Sequence, residues 1–195
     1  EHPGIRPMLL LLTAVAVGGK ATFELLPEFV DRVFGRGEQG LAELMVTAGV
    51  GALIASLLLA SKKSVQGLTR LTLLALLFTA ISIFAFTATA WFPLALCGLF
   101  LLGFVGVYSG TGTQILMQHV VAGSMRGRVM GLYGLIHRGG PAVGALVMGA
   151  LAKVVGIQIS VAVGGVFCLI VWCWMIRQRD HIQSHLEPND STGIK

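Results

Sequence analysis

From residue 71 to residue 125 the chain carries no Asp, Glu, Lys or Arg. An uncharged run of that length cannot sit on the wetted surface of a soluble domain, and as helix it is long enough to cross a bilayer twice, because ~20 residues span the hydrocarbon core. The rest of the chain agrees: of 195 residues, 55% are hydrophobic and 12% charged, and the mean hydropathy is +0.83, outside the balance of soluble domains. Only helices and closed barrels satisfy every backbone N–H and C=O in lipid. Barrel strands alternate apolar and polar residues, whereas these runs are continuously apolar. The expected fold class is therefore an all-α membrane protein.

Six spans are expected, at 7–29, 41–60, 71–90, 92–114, 129–152 and 154–176. The connections are short, which makes sequential helices antiparallel neighbours. Arg6, Lys62, Lys63, Arg70, Arg126, Arg128, Arg177, Arg179 and Lys195 fall on one side, and Arg32, Arg36 and Lys153 on the other. Nine basic residues against three place both ends of the segment in the cytoplasm. Trp91 then marks the outer interface, and Trp172 with Trp174 the inner one. Residues 1–6 read as the end of a cytoplasmic linker, 7–176 as the transmembrane bundle, and 177–195 as a polar, disordered cytoplasmic tail. The chain begins with Glu1, so it reads as a piece of a longer one.

An ionisable side chain at the centre of a membrane helix costs about 2.5 to 3.5 kcal/mol, so each one requires a partner, a wet cavity or a function. Lys20 lies about 20 Å and Arg138 about 14 Å into their spans at 1.5 Å per residue. Glu24, four residues after Lys20, is on the same helix face; it can pair with Lys20 or reach Arg138 on a neighbouring helix. Against this stands the plainer possibility that Lys20 snorkels outward while Glu24 and Glu28 mark the wet end of the helix near Pro27. His137 is either a packed, hydrogen-bonded side chain or a proton carrier.

Tyr108, Thr111, Gln114 and Gln118 recur at spacings of three and four, which gathers them on one face; they line a water-filled path or meet headgroups. Gly106 with Gly110, and Gly140 with Gly144, are small-xxx-small pairs that permit close helix approach. Pro141 removes a backbone donor beside Arg138 and is expected to kink or loosen the fifth span. Cys97, Cys168 and Cys173 lie in apolar runs and act as small hydrophobes. No clustered ligands suggest a metal or cofactor, and the basic residues sit in gaps between spans, which argues against nucleic acid as partner. No nucleophile–base constellation marks an enzyme.

The stretch "GTGTQILMQHVVAGSMRGRVMGLYGLIHRGGPAVGALVMGALA" (110–152), above all "RGRVMGLYGL" with Arg126 and Arg128, resembles the tenth and eleventh helices and intervening cytoplasmic loop of major facilitator superfamily transporters, in the enterobactin-exporter-like branch. "ELLPEFVDRVFGRGEQGL" (24–41) is similar to the end of their seventh helix and the outer loop after it. An arginine commonly precedes that ELLP by four places, where this chain has Lys20. Lysine keeps the charge but not the bidentate fork. "SKKSVQGLTR" (61–70) occupies the place of the family's basic loop, without the usual acidic residue, and "GPAVG" (140–144) weakly resembles an antiporter motif.

The resemblance implies a C-terminal six-helix half-bundle whose first and fourth helices, bearing Lys20 and Tyr108, face a central cavity flanked by the fifth. It implies a missing N-terminal half as partner and a secondary transporter in a bacterial inner membrane, exporting a small molecule such as a siderophore or drug. Lys20 and Arg138 suit an anionic substrate, and Glu24 or His137 is the candidate carrier of a coupling proton. The rival reading is a self-associating six-helix membrane protein that uses the glycine faces as its interface.

Overall fold

A computed structural model describes residues 5–61, 67–120 and 123–178. Six helical rods form among them, each long and apolar enough to cross a membrane. The first, α1, is a composite: an α-helix over Ile5–Ala14, a π-helical stretch over Val15–Lys20, short α-helices over Ala21–Glu24 and Leu26–Phe29, and a second π-helical stretch over Val30–Phe34. It is followed by α2 (Gly37–Ala60), α3 (Leu68–Thr87), α4 (Phe92–Val120), α5 (Gly123–Val155) and α6 (Ile157–Arg177). No strand occurs among the described residues.

The six expected spans are the six rods with shifted ends: most run longer, while α3 stops at Thr87 rather than at 90 and α6 starts at Ile157 rather than at 154. Ile5 and Arg6, read from sequence as linker, already belong to α1. Lys153 stands in the last turn of α5 rather than in a loop, because the connection to α6 is Gly156 alone. Its φ of +85° and ψ of 159° lie in backbone space that an L side chain rarely enters. Ser160 donates its hydroxyl hydrogen bond to the Met148 carbonyl and closes that corner. The basic loop at 62–66, the start of the linker at 1–4 and the tail at 179–195 lie outside the described residues.

Around α1 the other helices are layered. It packs on α5 and α6, α3 packs on α4 and α6, and α2 packs along α4. Span burial ranks accordingly: 61% of the apolar window in α1 is buried and 56% in α3, against 22% in α2 and in α5. Hence α2 and α5 each leave a broad apolar face uncovered, including Leu53 and Leu57 on one and Leu135 and Leu146 on the other.

Lipid offers no hydrophobic drive between helices, so packing depth decides their association. Glycines supply it at three crossings. Gly51 and Gly103 admit the backbones of Phe100 and Ala48 where α2 meets α4. Gly18 and Gly164 meet where α1 meets α6, and Gly140 and Gly144 receive Ala16, Val17 and Ala21 where α1 meets α5. One end of the bundle is tied by rings: Phe29 lies 4.4 Å from Phe86 and Phe34 meets Phe92 edge-on at 5.4 Å. Arg36 covers the other face of Phe92 at 4.2 Å. Several buried hydroxyls bond their own helix: Thr72 donates to Leu68 O at 2.7 Å and Thr79 to Ala75 O at 2.8 Å, a self-contained solution suited to lipid.

A side chain at Gly144 would strike the Val17 carbonyl and the Ala21 methyl, so Gly144→Leu is expected to destabilise the protein by about 1–3 kcal/mol, as overpacking does. Gly139→Ala, on the same helix with open space above it, is the control and should leave stability unchanged or slightly raised. Thermal unfolding in detergent, read by loss of the monodisperse peak, checks both.

Candidate functional site

The backbone irregularity of α1 coincides with its one lysine. Over Val15–Lys20 the helix widens to π geometry, a feature frequent at functional sites. Gly18 and Gly19 stand inside it, and Thr22 Oγ1 donates to Gly18 O at 3.1 Å. Cys168 reaches from α6 to donate its thiol to Ala14 O at 3.3 Å. The widened turn delivers Lys20 toward α5, where His137 waits.

Lys20 Nζ lies 2.7 Å from His137 Nε2 and 3.3 Å from Nδ1. An ammonium has three donors and no acceptor, so the imidazole serves it as the acceptor and is neutral in this contact. Tyr133, one turn earlier on α5, stacks on the imidazole with ring centroids 5.2 Å apart and planes 20° apart. Its hydroxyl lies 3.3 Å from His137 Nδ1 and donates to Gly110 O on α4 at 3.1 Å. Gly110 has no Cβ, which lets His137 Cε1 settle against α4. Three helices thus share one hydrogen-bonded set: α1 supplies the cation, α5 the imidazole and phenol, and α4 a carbonyl.

That set forms one wall of an open cleft of about 560 Å³ bounded by α1, α2, α4 and α5. Its polar side chains are Lys20, Glu24, Thr111 and His137. The remainder is apolar or bare: Phe23, Met45 and Val107 line it together with Gly49 and Gly106, above both of which the space is open. Volume and lining fall within the range of small-molecule sites, which are mostly apolar with a few convergent polar groups.

The residues singled out from sequence are distributed unevenly around this cleft. Lys20, Glu24, Thr111, His137, Gly106, Gly110 and Pro141 line it. Arg138 does not: it is exposed on the outer side of α5 and makes no ion pair with Glu24. One residue turns a helix by about 100°, so His137 and Arg138 cannot both face inward, and the imidazole holds the inward place. Lys20 and Glu24 do not pair with each other, because Lys20 is drawn across to α5.

Of the α4 stripe only Thr111 reaches the cleft. Tyr108 packs on Phe104 at 5.5 Å between centroids, Gln114 stays outside the lining, and Gln118 is exposed. Gly106 serves no helix crossing, since nothing lies above it; it is cleft floor. Helix α5 runs unbroken through Pro141, and the irregular backbone expected there occurs across from it in α1. Arg128 is exposed, and the side chain of Arg126 lies outside the described residues.

Sequence reasoning passed over Tyr133, although its spacing of four from His137 was a usable signal for a shared face. It also passed over the Gly18–Gly164 crossing and over Met45 and Phe23. The crossing and the place of these two side chains on the cleft follow from packing against distant helices, and no local pattern announces that.

A family model described as the Major Facilitator Superfamily matches residues 6–193. Searches of curated proteins and of solved structures return no match. The match takes in the six rods apart from Ile5 and every residue of the cleft, and on it this chain belongs to the Major Facilitator Superfamily.

Proposed function

We propose that the chain is the C-terminal six-helix half of a secondary active transporter, and that its cleft is this half's share of a central substrate site. The observation that carries the reading is the Lys20–His137 contact at 2.7 Å on the wall of a cleft of about 560 Å³. A cation kept at mid-depth in an apolar bundle, with an imidazole for company and an open space before it, is suited to meeting a charged group of a small molecule. The uncovered faces of α2 and α5 flank the cleft and suit a second, N-terminal bundle. Rocking of one bundle against the other would expose the cleft alternately to each side.

The substrate class is a small molecule with an acidic group, such as a siderophore or drug, and the direction is export, both following the family resemblance. Arg138, on the uncovered face of α5, belongs to the seam with the second bundle. The membrane is the bacterial inner membrane, with both ends of this segment cytoplasmic by the distribution of basic residues. Protons are the proposed coupling ion, with Glu24 and His137 as the two titratable candidates on the wall.

Transport by the full-length protein tests the site. Lys20→Met and His137→Ala should each lower the rate at least tenfold at normal membrane abundance, and unimpaired transport by both would remove the site. For the proton, Glu24→Gln and His137→Gln are compared across pH 5.5 to 8.5; the variant lacking the carrier loses the pH dependence of transport, and two unaltered profiles would dismiss coupling through this wall. Orientation is read by an impermeant thiol reagent in a background without the native cysteines. Glu38→Cys should label in intact cells and Gln178→Cys only after permeabilisation; the reverse pattern would invert the topology.

A further inference from the structure

The two ionised side chains of the cleft have not neutralised each other. Lys20 and Glu24 are one turn apart on the same face of α1 and both line the cavity, within reach of an i,i+4 ion pair although Lys before Glu is the less favourable order. Lys20 bonds His137 instead. Other carboxylates nearby do find arginines: Glu28 lies 3.0 Å from Arg32 and Glu43 lies 3.8 Å from Arg36. Glu24 has no ion pair among the described residues and stands exposed on the cleft wall. From α2 and α4 no charged side chain lines the cleft: the lining there is Met45, Leu102, Val107, Thr111 and small residues. From α5 the cleft is lined by His137 and Pro141, and Arg138 is exposed outside it.

A simple anion would therefore answer only half of the wall. It would meet ammonium hydrogens that Lys20 does not spend on His137, yet it would close the cleft over a carboxylate for which this half supplies no counter-charge. Sealing an unpaired charge from water is strongly unfavourable, and it also places two negative groups in one small space. A ligand with a basic group at the Glu24 position relieves both penalties.

We propose that the cleft selects an amphipathic zwitterion, whose acidic group binds Lys20 and whose basic group, displaced by roughly one helical turn of ~5.4 Å, binds Glu24. The body between them is apolar and flat. It lies over the bare floor at Gly106 and Gly49, where no Cβ projects, with Phe23 and Met45 beside it. This inference rests on the reading of the cleft as a substrate site and narrows the substrate class from acidic molecules to those that carry a separate cationic group.

Three matched probes test it on the full-length protein in lipid nanodiscs at pH 7.5: 4-(aminomethyl)benzoate, 4-methylbenzoate and 4-methylbenzylamine, titrated to equilibrium. The zwitterion should bind at least tenfold tighter than either of the others, a factor appropriate to one charge-assisted contact. Glu24→Gln should erase its advantage over the anion, Lys20→Met its advantage over the cation, and Lys20→Arg should retain both preferences. All three variants keep a side chain of similar length, and a monodisperse elution profile establishes that each is folded.

Equal or tighter binding of 4-methylbenzoate to the unaltered protein, with Lys20→Met abolishing it, would overturn the zwitterion while leaving an anion site in place. A zwitterion preference that survives Glu24→Gln would also overturn it. Absence of binding by all three probes would overturn it as well, and normal transport by Lys20→Met would then take the reading of the cleft down with it.

Discussion

Hydrocarbon cannot accept or donate a hydrogen bond, and nearly every feature of this bundle answers that constraint. Backbone groups are satisfied within each helix, and the hydroxyls of Thr72, Thr79, Ser82 and Thr87 in α3 fold back onto carbonyls of their own helix. The same rule governs the ions. Glu28, Arg32, Arg36 and Glu43 gather at the end of the bundle that also carries Phe92, while Lys20 lies deeper and has to find an acceptor inside the protein. His137 is that acceptor, and the contact joins α1 to α5.

For the contact to form, α1 has to come very close to two neighbours. Gly18 against Gly164 on one side, and Gly140 and Gly144 against Ala16, Val17 and Ala21 on the other, remove the side-chain layer that ordinarily separates helices. The widened turn at Val15–Lys20 sits between those crossings. Close packing on two sides and irregular backbone in the middle together aim one lysine into the cleft. Elsewhere the glycines work in reverse: Gly49 and Gly106 have nothing above them and create space instead of contact. Identical residues thus serve packing or vacancy according to which way their helix is turned.

Much of the fold was legible in the chain before any coordinates. The charge-free stretch from 71 to 125 required two crossings, and short connectors required antiparallel neighbours. The site was legible only in part. Depth along a helix marked Lys20, because a 1.5 Å rise per residue is a local property, while His137 stood out only as an imidazole beside Arg138. Depth also marked Arg138, and wrongly for the cleft, since depth carries no information about azimuth. The Tyr108 to Gln118 stripe was real as a spacing, yet its face is divided among cleft, packing and surface.

Sequence by itself determined what lipid chemistry decides: helices in place of strands, six rods, and which residues are too costly to bury alone. Those are sums over local windows, and they do not depend on where any other segment lies. Only the tertiary structure decided the pairings. Lys20 prefers an imidazole 117 positions away to the carboxylate one turn along, and Gly106 is floor while Gly144 is joint, because the rotation of each helix about its axis is set by packing against distant helices. No window of local sequence contains that angle.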